Sequence, residues 1–241
     1  MGKSVRARFL AGLMTGVMIS AHAAGVDTAP AETERAVVEL FTSQGCSSCP
    51  PADAIAGRLQ ADPSVVVLSF HVNYWDDLGW KDPFSSQPST DRQKEYAGSL
   101  GVRSVFTPQL VVNGSLSLVG SREDALQRAL ADTRRAAFPA QAGITAQPDG
   151  SLVLNLTGAA AGAKVWEVRY VRHSVTQIRA GENKGRALDT YNDVTHIGSL
   201  GNFAPGPLTL PPLKAPDDGV AVIIQARGMG RIFGATAWHS Q

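Results

Sequence analysis

Cysteine is scarce in this chain, which contains only two in 241 residues. Small exported domains that lack a sufficient core are held together by a dense framework of disulfides, so two cysteines exclude that class. The stability of the chain must therefore come from ordinary hydrophobic cores. The pair is left free for chemistry, and its members lie three positions apart as Cys46 and Cys49.

The chain also lacks an excess of charge. It has 22 Lys and Arg residues against 21 Asp and Glu residues, a formal net charge of +1. Removal of an N-terminal leader would take away Lys3, Arg6 and Arg8, leaving 19 basic against 21 acidic residues and a net charge of −2. No basic surplus remains to attract a phosphate backbone, so we expect no nucleic-acid partner.

Long hydrophobic runs are missing too. The longest, residues 9–20, is well short of the roughly 20 residues that a spanning helix needs. It follows a basic start and precedes Ala21-His22-Ala23, a pattern typical of a signal peptide over residues 1–23. The alternative is a retained N-terminal anchor. We expect an exported, periplasmic protein with no stable membrane insertion after cleavage near Ala23.

What is present is a regular alternation of elements. Residues 24–35 are small and polar, which indicates a flexible lead-in, and the pattern then predicts a βαβαββα domain over residues 36–138. The predicted strands and helices cover residues 36–41, 52–60, 65–70, 90–100, 109–112, 115–119 and 121–137. Asn113-Gly114 predicts a tight hairpin turn between the last two strands.

The pattern of apolar and polar residues changes after residues 138–143, which resemble a linker. Residues 144–241 contain short alternating strands separated by Gly- and Pro-rich turns, and they show no helical periodicity. This pattern predicts an all-β, sandwich-like second domain. The predicted fold class is therefore an α/β domain followed by an all-β domain.

The cysteine pair lies at the predicted start of a helix, where a thiolate is stabilised. Pro50 and Pro51 have no N–H group, so they fit only the first turn of the following helix. This places Cys49 near the N-cap and Cys46 in the loop before it. The free N–H groups and dipole of a helix N-terminus lower the pKa of a nearby thiol. We predict Cys46 as the nucleophile and Cys49 as the resolving thiol.

Two alternatives compete with a redox pair. Metal-binding CxxC motifs usually recur with a second pair or with two histidines, whereas here only His71 follows a neighbouring strand. Cys46, Cys49 and His71 would suit a soft ion such as Cu(I). The other alternative is a permanent structural disulfide, although closing so short a loop constrains the unfolded chain little.

Cys46-Ser47-Ser48-Cys49 at a strand-to-helix turn, with Thr107-Pro108 before a hairpin, resembles the thioredoxin fold. The resemblance implies a cis peptide bond before Pro108, packed against the CxxC motif, and a Thr107 backbone that binds a substrate strand. The chain departs from the usual thioredoxin pattern: no Trp precedes Cys46, Ser-Ser replaces Gly-Pro, and Pro50 follows the motif.

A narrower resemblance rests on three stretches, which are residues 39–53 around the cysteines, His71-Val72-Asn73-Tyr74-Trp75-Asp76, and Gly181-Glu182-Asn183-Lys184-Gly185-Arg186. They are similar to an uncharacterised family of secreted bacterial proteins with a thioredoxin-like domain and a β-rich C-terminal extension. The resemblance covers most of the mature chain and implies a fold but no reaction.

Other candidate residues surround this motif. Glu39 lies in an apolar strand, where it is either a buried carboxylate that relays protons to Cys49 or a strand-end residue that reaches water. Tyr74, Trp75 and Asp76 present a substrate surface or form the small core of their own loop. Asp53, in the first helical turn, suits stabilisation of the helix dipole.

The leading hypothesis is an exported thiol–disulfide oxidoreductase. Its partners would be protein or small-thiol disulfide substrates and an unidentified redox partner, and its disulfide would replace any organic cofactor. The alternatives are a periplasmic copper-handling module and a binding protein with a permanent disulfide. The direction of electron flow does not follow from the sequence, although Ser47-Ser48 supplies no charge that would favour a strong oxidant.

Overall fold

The structure is a computed structural model that describes residues 1–2, 36–133 and 137–240. The predicted signal peptide and lead-in therefore lie almost wholly outside the described residues. Over the first long segment the elements are β1 (Ala36–Thr42), α1 (Pro50–Leu59), β2 (Val65–His71), α2 (Gln87–Ser99), β3 (Gln109–Val112), β4 (Leu116–Val119) and α3 (Glu123–Thr133). A single 3₁₀ turn, Asp76–Leu78, lies in the loop between β2 and α2.

Strands β1 and β2 form the buried centre of this segment. Both are short, mostly apolar and buried along their length, and they pair in parallel. Side chains alternate between the two faces of a strand, so Val38 and Leu40 of β1 pack under α1 and α3. Val37 and Phe41 point to the opposite face, where α2 and the C-terminal strands cover them.

The predicted turn at Asn113-Gly114 is confirmed. Asn113 and Gly114 have positive φ angles of 48° and 65° and connect β3 to β4. Left-handed backbone is accessible to Asn and Gly at little cost, which explains why this pair allows the chain to reverse tightly.

Residues 137–240 are built from strands alone. They are β5 (Ala140–Ala146), β6 (Leu152–Gly158), β7 (Lys164–Gln177), β8 (Ala187–Asn202), β9 (Gly206–Leu210), β10 (Gly219–Gln225) and β11 (Ile232–His239). The first strand begins inside the predicted linker because Ala140, Ala142 and Ile144 alternate into a core. Strands β7 and β8 are much longer than the sequence indicates, since both extend past their apolar residues into polar stretches.

One large sheet joins the two halves of the chain. Its order is β11-β10-β7-β8-β2-β1-β3-β4, and β2 meets β8 in parallel at Ser69 and Asp193. A second sheet, β5-β6-β9, packs against the β7–β10 end through a shared apolar core. The fold is thus mixed α/β with a large β-rich sheet. Among the described residues no helix combines the length and apolarity that crossing a bilayer requires.

Candidate functional site

Cys46 and Cys49 form a disulfide at the N-terminus of α1. Their Cα atoms are 5.5 Å apart. Cys49 is the N-cap residue, and the helix begins with Pro50 and Pro51, as the sequence predicts. The backbone N–H of Cys49 donates to the carbonyl of Cys46 at 3.2 Å, which closes the four-residue turn. The Oγ of Ser48 lies 3.3 Å from the Sγ of Cys46.

Both cysteines are buried, with an exposed fraction of 0% each. The two serines between them are exposed. In this disulfide form the sulfur of Cys46, the predicted nucleophile, does not reach solvent. The cover comes from two other parts of the chain, the loop after β2 and the connection between β7 and β8.

We call residues 178–186, which connect β7 to β8, the hairpin tip. Its Asn183 is fully buried, and the Nδ2 of Asn183 donates to the carbonyls of Gln44 at 2.9 Å and Cys46 at 3.0 Å. Glu182 accepts from the backbone N–H of Ser47 at 3.0 Å. The family-like stretch around Asn183 therefore lies directly on the CSSC loop. The sequence contains no pattern from which these contacts, over 130 residues away, could be derived.

Trp75 connects the same loop to the Thr107–Pro108 segment. The indole N–H of Trp75 donates to the Oγ1 of Thr107 at 2.8 Å. A Cβ placed on Gly45 would lie 3.2 Å from the Cβ of Trp75, so the indole residue also borders the loop before Cys46. The Thr107–Pro108 peptide bond is cis.

Gly120 shows how close Pro108 is to the helix. A Cβ on Gly120 would lie 2.8 Å from the Cβ of Pro108 and 3.1 Å from the Cβ of Ala52 in the first turn of α1. The space left by this glycine lets the Pro108 strand end approach the helix that carries Cys49. The structure therefore brings Cys46, Cys49, Trp75, Thr107 and Pro108 into one site.

The two neighbours of Trp75 make different contacts. Tyr74 is partly exposed and donates its hydroxyl to Gln93 at 3.2 Å. Asp76 accepts from the hydroxyl of Ser85 at 2.7 Å and from the N–H of Asp82 at 3.3 Å. Asp76 thus stabilises its own loop, in line with the structural alternative for these residues.

A buried ionic cluster lies beside the site at the end of β2. The ring of His71 is bonded through Nδ1 to Asp82 at 2.7 Å and through Nε2 to Asp193 at 3.0 Å. Burial lowers the pKa of His71, but the two carboxylates raise it more, so the net pKa lies well above its usual range. Asp82 also accepts from the N–H of Gln44 at 2.7 Å and thereby connects the cluster to the loop before Cys46.

His71 does not join the cysteines as a metal ligand. Both of its ring nitrogens are directed at carboxylates, which leaves no lone pair for an ion at the sulfur atoms. Within the described part of the chain no group of three or more His, Cys, Asp or Glu side chains is arranged to hold a metal ion.

Asp53 is the functional candidate that sequence reasoning assigned only to the helix dipole. It lies one helical turn after Cys49, and side chains four positions apart share a helix face. Burial raises the pKa of its carboxyl to about 7, while the hydroxyl of Thr42, which donates at 2.7 Å, and the charge of His71 partly oppose this rise. The i+4 spacing from Cys49 on an apolar helix face is the sequence signal that could have identified it.

Glu39 is buried, but it lies elsewhere. It shares a strand face with Val37 and Phe41, the face opposite to α1. Its carboxylate forms a bidentate pair with Arg92 at 2.5 and 2.9 Å and accepts from the hydroxyl of Tyr96 at 2.7 Å. The structure therefore does not bring Glu39 to Cys49, and its partners account for a structural role.

Comparison with known proteins defines the family. The family described as "Protein of unknown function (DUF1223)" matches residues 37–225. The chain belongs to the DUF1223 family. This membership confirms the predicted relation to an uncharacterised family. No curated protein matches the chain.

A solved structure extends the comparison to three dimensions. This DUF1223 chain is similar to a protein from Agrobacterium tumefaciens that is known from an X-ray crystal structure, with 28% sequence identity and a TM-score of 0.76. The similarity covers 87% of this chain and 96% of the Agrobacterium protein. The family description and this structure identify no reaction, so a function for this DUF1223 member has to be argued from its site.

Proposed function

We propose that this chain is an exported thiol–disulfide oxidoreductase whose N-terminal half is thioredoxin-like and whose redox pair is Cys46 and Cys49. The observation that supports the proposal is the position of the disulfide, which joins the N-cap of α1 to the loop before it. At this position a thiolate released by reduction lies at the positive end of the helix dipole.

The proposed exchange runs in two balanced steps. In the reduced protein the Cys46 thiolate attacks one sulfur of a substrate disulfide, forms a mixed disulfide and releases one substrate thiolate. Cys49, as a thiolate, then attacks the Sγ of Cys46, closes the protein disulfide and releases the second substrate thiolate. Two electrons pass to the substrate, and the reverse sequence oxidises a substrate dithiol.

Asp53 is our candidate for the proton acceptor in this exchange. Cys49 has to lose its proton before it can resolve the mixed disulfide, and a carboxyl with a pKa of about 7 accepts and returns a proton near neutral pH. Its position one helical turn after Cys49 favours this role over Glu39, which is bonded to Arg92 on the other face of the sheet.

Thr107 and Pro108 form the proposed substrate edge. They border the first turn of α1, and Trp75 holds the Thr107 side chain from the other side. An extended segment of a substrate bound along this edge would carry its disulfide to Cys46. We propose protein or small-thiol disulfides as substrates, a separate redox partner, and the periplasm as the compartment.

The test is an equilibrium titration of the purified protein in buffers of reduced and oxidised glutathione or dithiothreitol. Thiols are trapped by alkylation at each potential and counted by mass spectrometry. We expect a reversible two-electron transition with a midpoint below about −150 mV, since Ser47 and Ser48 provide no cation to stabilise the thiolate. A Cys46→Ser variant, which cannot form the pair, is the matched control.

The same titration distinguishes the rival hypothesis of a permanent disulfide. If Cys46 and Cys49 stay oxidised until the protein unfolds, the disulfide is structural and the proposed redox function is rejected. We do not propose copper handling, because both ring nitrogens of His71 already have carboxylate partners.

A further inference from the structure

The sulfur of Cys46 is enclosed although the exchange proposed above requires it to be reached. Attack on a disulfide needs an incoming sulfur in line with the bond that breaks, so a fully buried Cys46 cannot react in this conformation. Part of the cover has to move. Both the hairpin tip and the loop after β2 bond Gln44, but the side chains of the hairpin tip also bond Cys46 and Ser47 themselves.

Asn183 makes the decisive contacts. It is fully buried, and its carboxamide bonds two carbonyls of the loop, those of Gln44 and Cys46, at 2.9 and 3.0 Å. Arg186 donates to the Oδ1 of Asn183 at 2.7 Å and fixes the orientation of the amide. Nothing in the cores of the two sheets depends on these bonds, since the apolar clusters contain no residue between 179 and 187.

A third bond lies on the solvent side. The carboxylate of Glu182 accepts from the N–H of Ser47 at 3.0 Å. The hairpin tip therefore holds the loop through the carbonyls of Gln44 and Cys46 and through the N–H of Ser47. Gly181 and Gly185 flank these contacts with positive φ angles of 72° and 84°. Glycine adopts this left-handed backbone at little cost, which lets the chain turn back over the loop within a few residues.

We propose that the hairpin tip is a gate over Cys46 and that Asn183 is the residue that holds it closed. The inference rests on the proposed redox function and concerns what controls access to the pair. A thiol reaches the pair only in the fraction of molecules in which the hairpin tip has lifted. When opening and closing are fast, the observed exchange rate follows that open fraction. Asn183 is thus a positioning residue, and it takes no part in the exchange itself.

The experiment measures the rate at which dithiothreitol reduces the oxidised protein. Samples are quenched by alkylation and analysed by mass spectrometry for the wild type, Asn183→Ala and Glu182→Ala. One net hydrogen bond corresponds to roughly a fivefold change in an equilibrium constant. We therefore expect reduction to be about 30-fold faster in Asn183→Ala and about fivefold faster in Glu182→Ala.

Lys184→Ala is the matched control. Lys184 is exposed on the same hairpin tip, and its side chain makes none of the three bonds to the loop. We expect its rate to equal that of the wild type within about twofold. Because Glu182 lies on the solvent side, Glu182→Ala leaves every buried group in place and keeps the test valid if Asn183→Ala fails to fold.

The outcomes separate the gate from the redox assignment. Wild-type rates in folded Asn183→Ala and Glu182→Ala would overturn the gate, while a reversible glutathione titration would still support the redox pair. Acceleration that follows the order Asn183→Ala, Glu182→Ala, Lys184→Ala supports the gate. A disulfide that fails to titrate in any of the folded proteins would reject the redox function and the gate together.

Discussion

Replacing Asp53 by Asn should remove a large part of the pH dependence of stability. The carboxyl has a pKa of about 7 in the folded protein against an ordinary value of 3.8, and burial is the main cause. Between these values the native state binds a proton that the unfolded state releases. The free energy of unfolding therefore falls as the pH rises through this window, and the loss is complete above the folded pKa.

The magnitude follows from the gap between pH and pKa. At pH 5 the native carboxyl is protonated, about two pH units below its pKa, and each unit corresponds to about 1.36 kcal/mol. Protonation then stabilises the native state by about 2.7 kcal/mol relative to pH 8. In Asp53→Asn the new carboxamide is isosteric with the carboxyl and can still accept from the hydroxyl of Thr42, but it does not titrate.

The assay is urea unfolding of the oxidised protein at several values between pH 5 and pH 8. His71 adds a slope of the same sign, because its raised pKa gives stability that is present below about pH 6.5 and lost as the pH rises through the folded pKa. The quantity to compare is therefore the difference between wild type and Asp53→Asn. That difference should change by about 2.7 kcal/mol in favour of the variant as the pH rises.

Asp77→Asn is the control for this prediction, since it replaces one exposed carboxylate in the loop after β2. It shows how far the removal of a carboxylate by itself changes the stability. A difference between wild type and Asp53→Asn that stays constant with pH would mean that the carboxyl of Asp53 is ionised in the folded protein at pH 5. The role of Asp53 as proton acceptor near neutral pH would then be refuted.

Three further predictions test the structure outside the redox pair. Arg92→Met leaves the Glu39 carboxylate buried without its ion-pair partner, so the free energy of unfolding in urea should fall by about 3–5 kcal/mol. Adding Glu39→Leu should restore much of this stability. A fall below about 1 kcal/mol in Arg92→Met would contradict the buried pair. Trp75→Phe removes the donor to Thr107 and should cost about 1 kcal/mol in the same assay. Arg58→Ala breaks an ion pair at the surface and should cost less than about 1 kcal/mol, a value that salt reduces further.

The elements that the sequence predicts well are those with strong local signals. Pro50 and Pro51 locate the start of α1, and the run of β-branched residues in β2 identifies a buried strand. Asn113-Gly114 predicts its turn because few residue pairs adopt two positive φ angles easily. In each case the information lies within a few neighbouring residues.

The features that escape prediction depend on pairing across the chain. Strand β8 is 16 residues long and largely polar, so its extent follows from its partner β7 rather than from its own pattern. Asp193 reaches His71 only because β8 lies beside β2, and Asn183 covers Cys46 only because the β7–β8 hairpin projects over the loop. The raised pKa of Asp53 likewise comes mainly from its burial in the folded protein.

The distance along the chain between Cys46 and its cover has a consequence for synthesis. Asn183 follows Cys46 by 137 positions, so the ribosome completes the CSSC segment long before the residues that enclose it. Chains are synthesised from the N-terminus at about 5–20 residues per second, which leaves the newly synthesised cysteine pair uncovered for at least several seconds. During that interval thiols and disulfides in the surroundings reach the pair without any opening of the hairpin tip, so under the proposed gate the nascent chain exchanges faster than the finished protein.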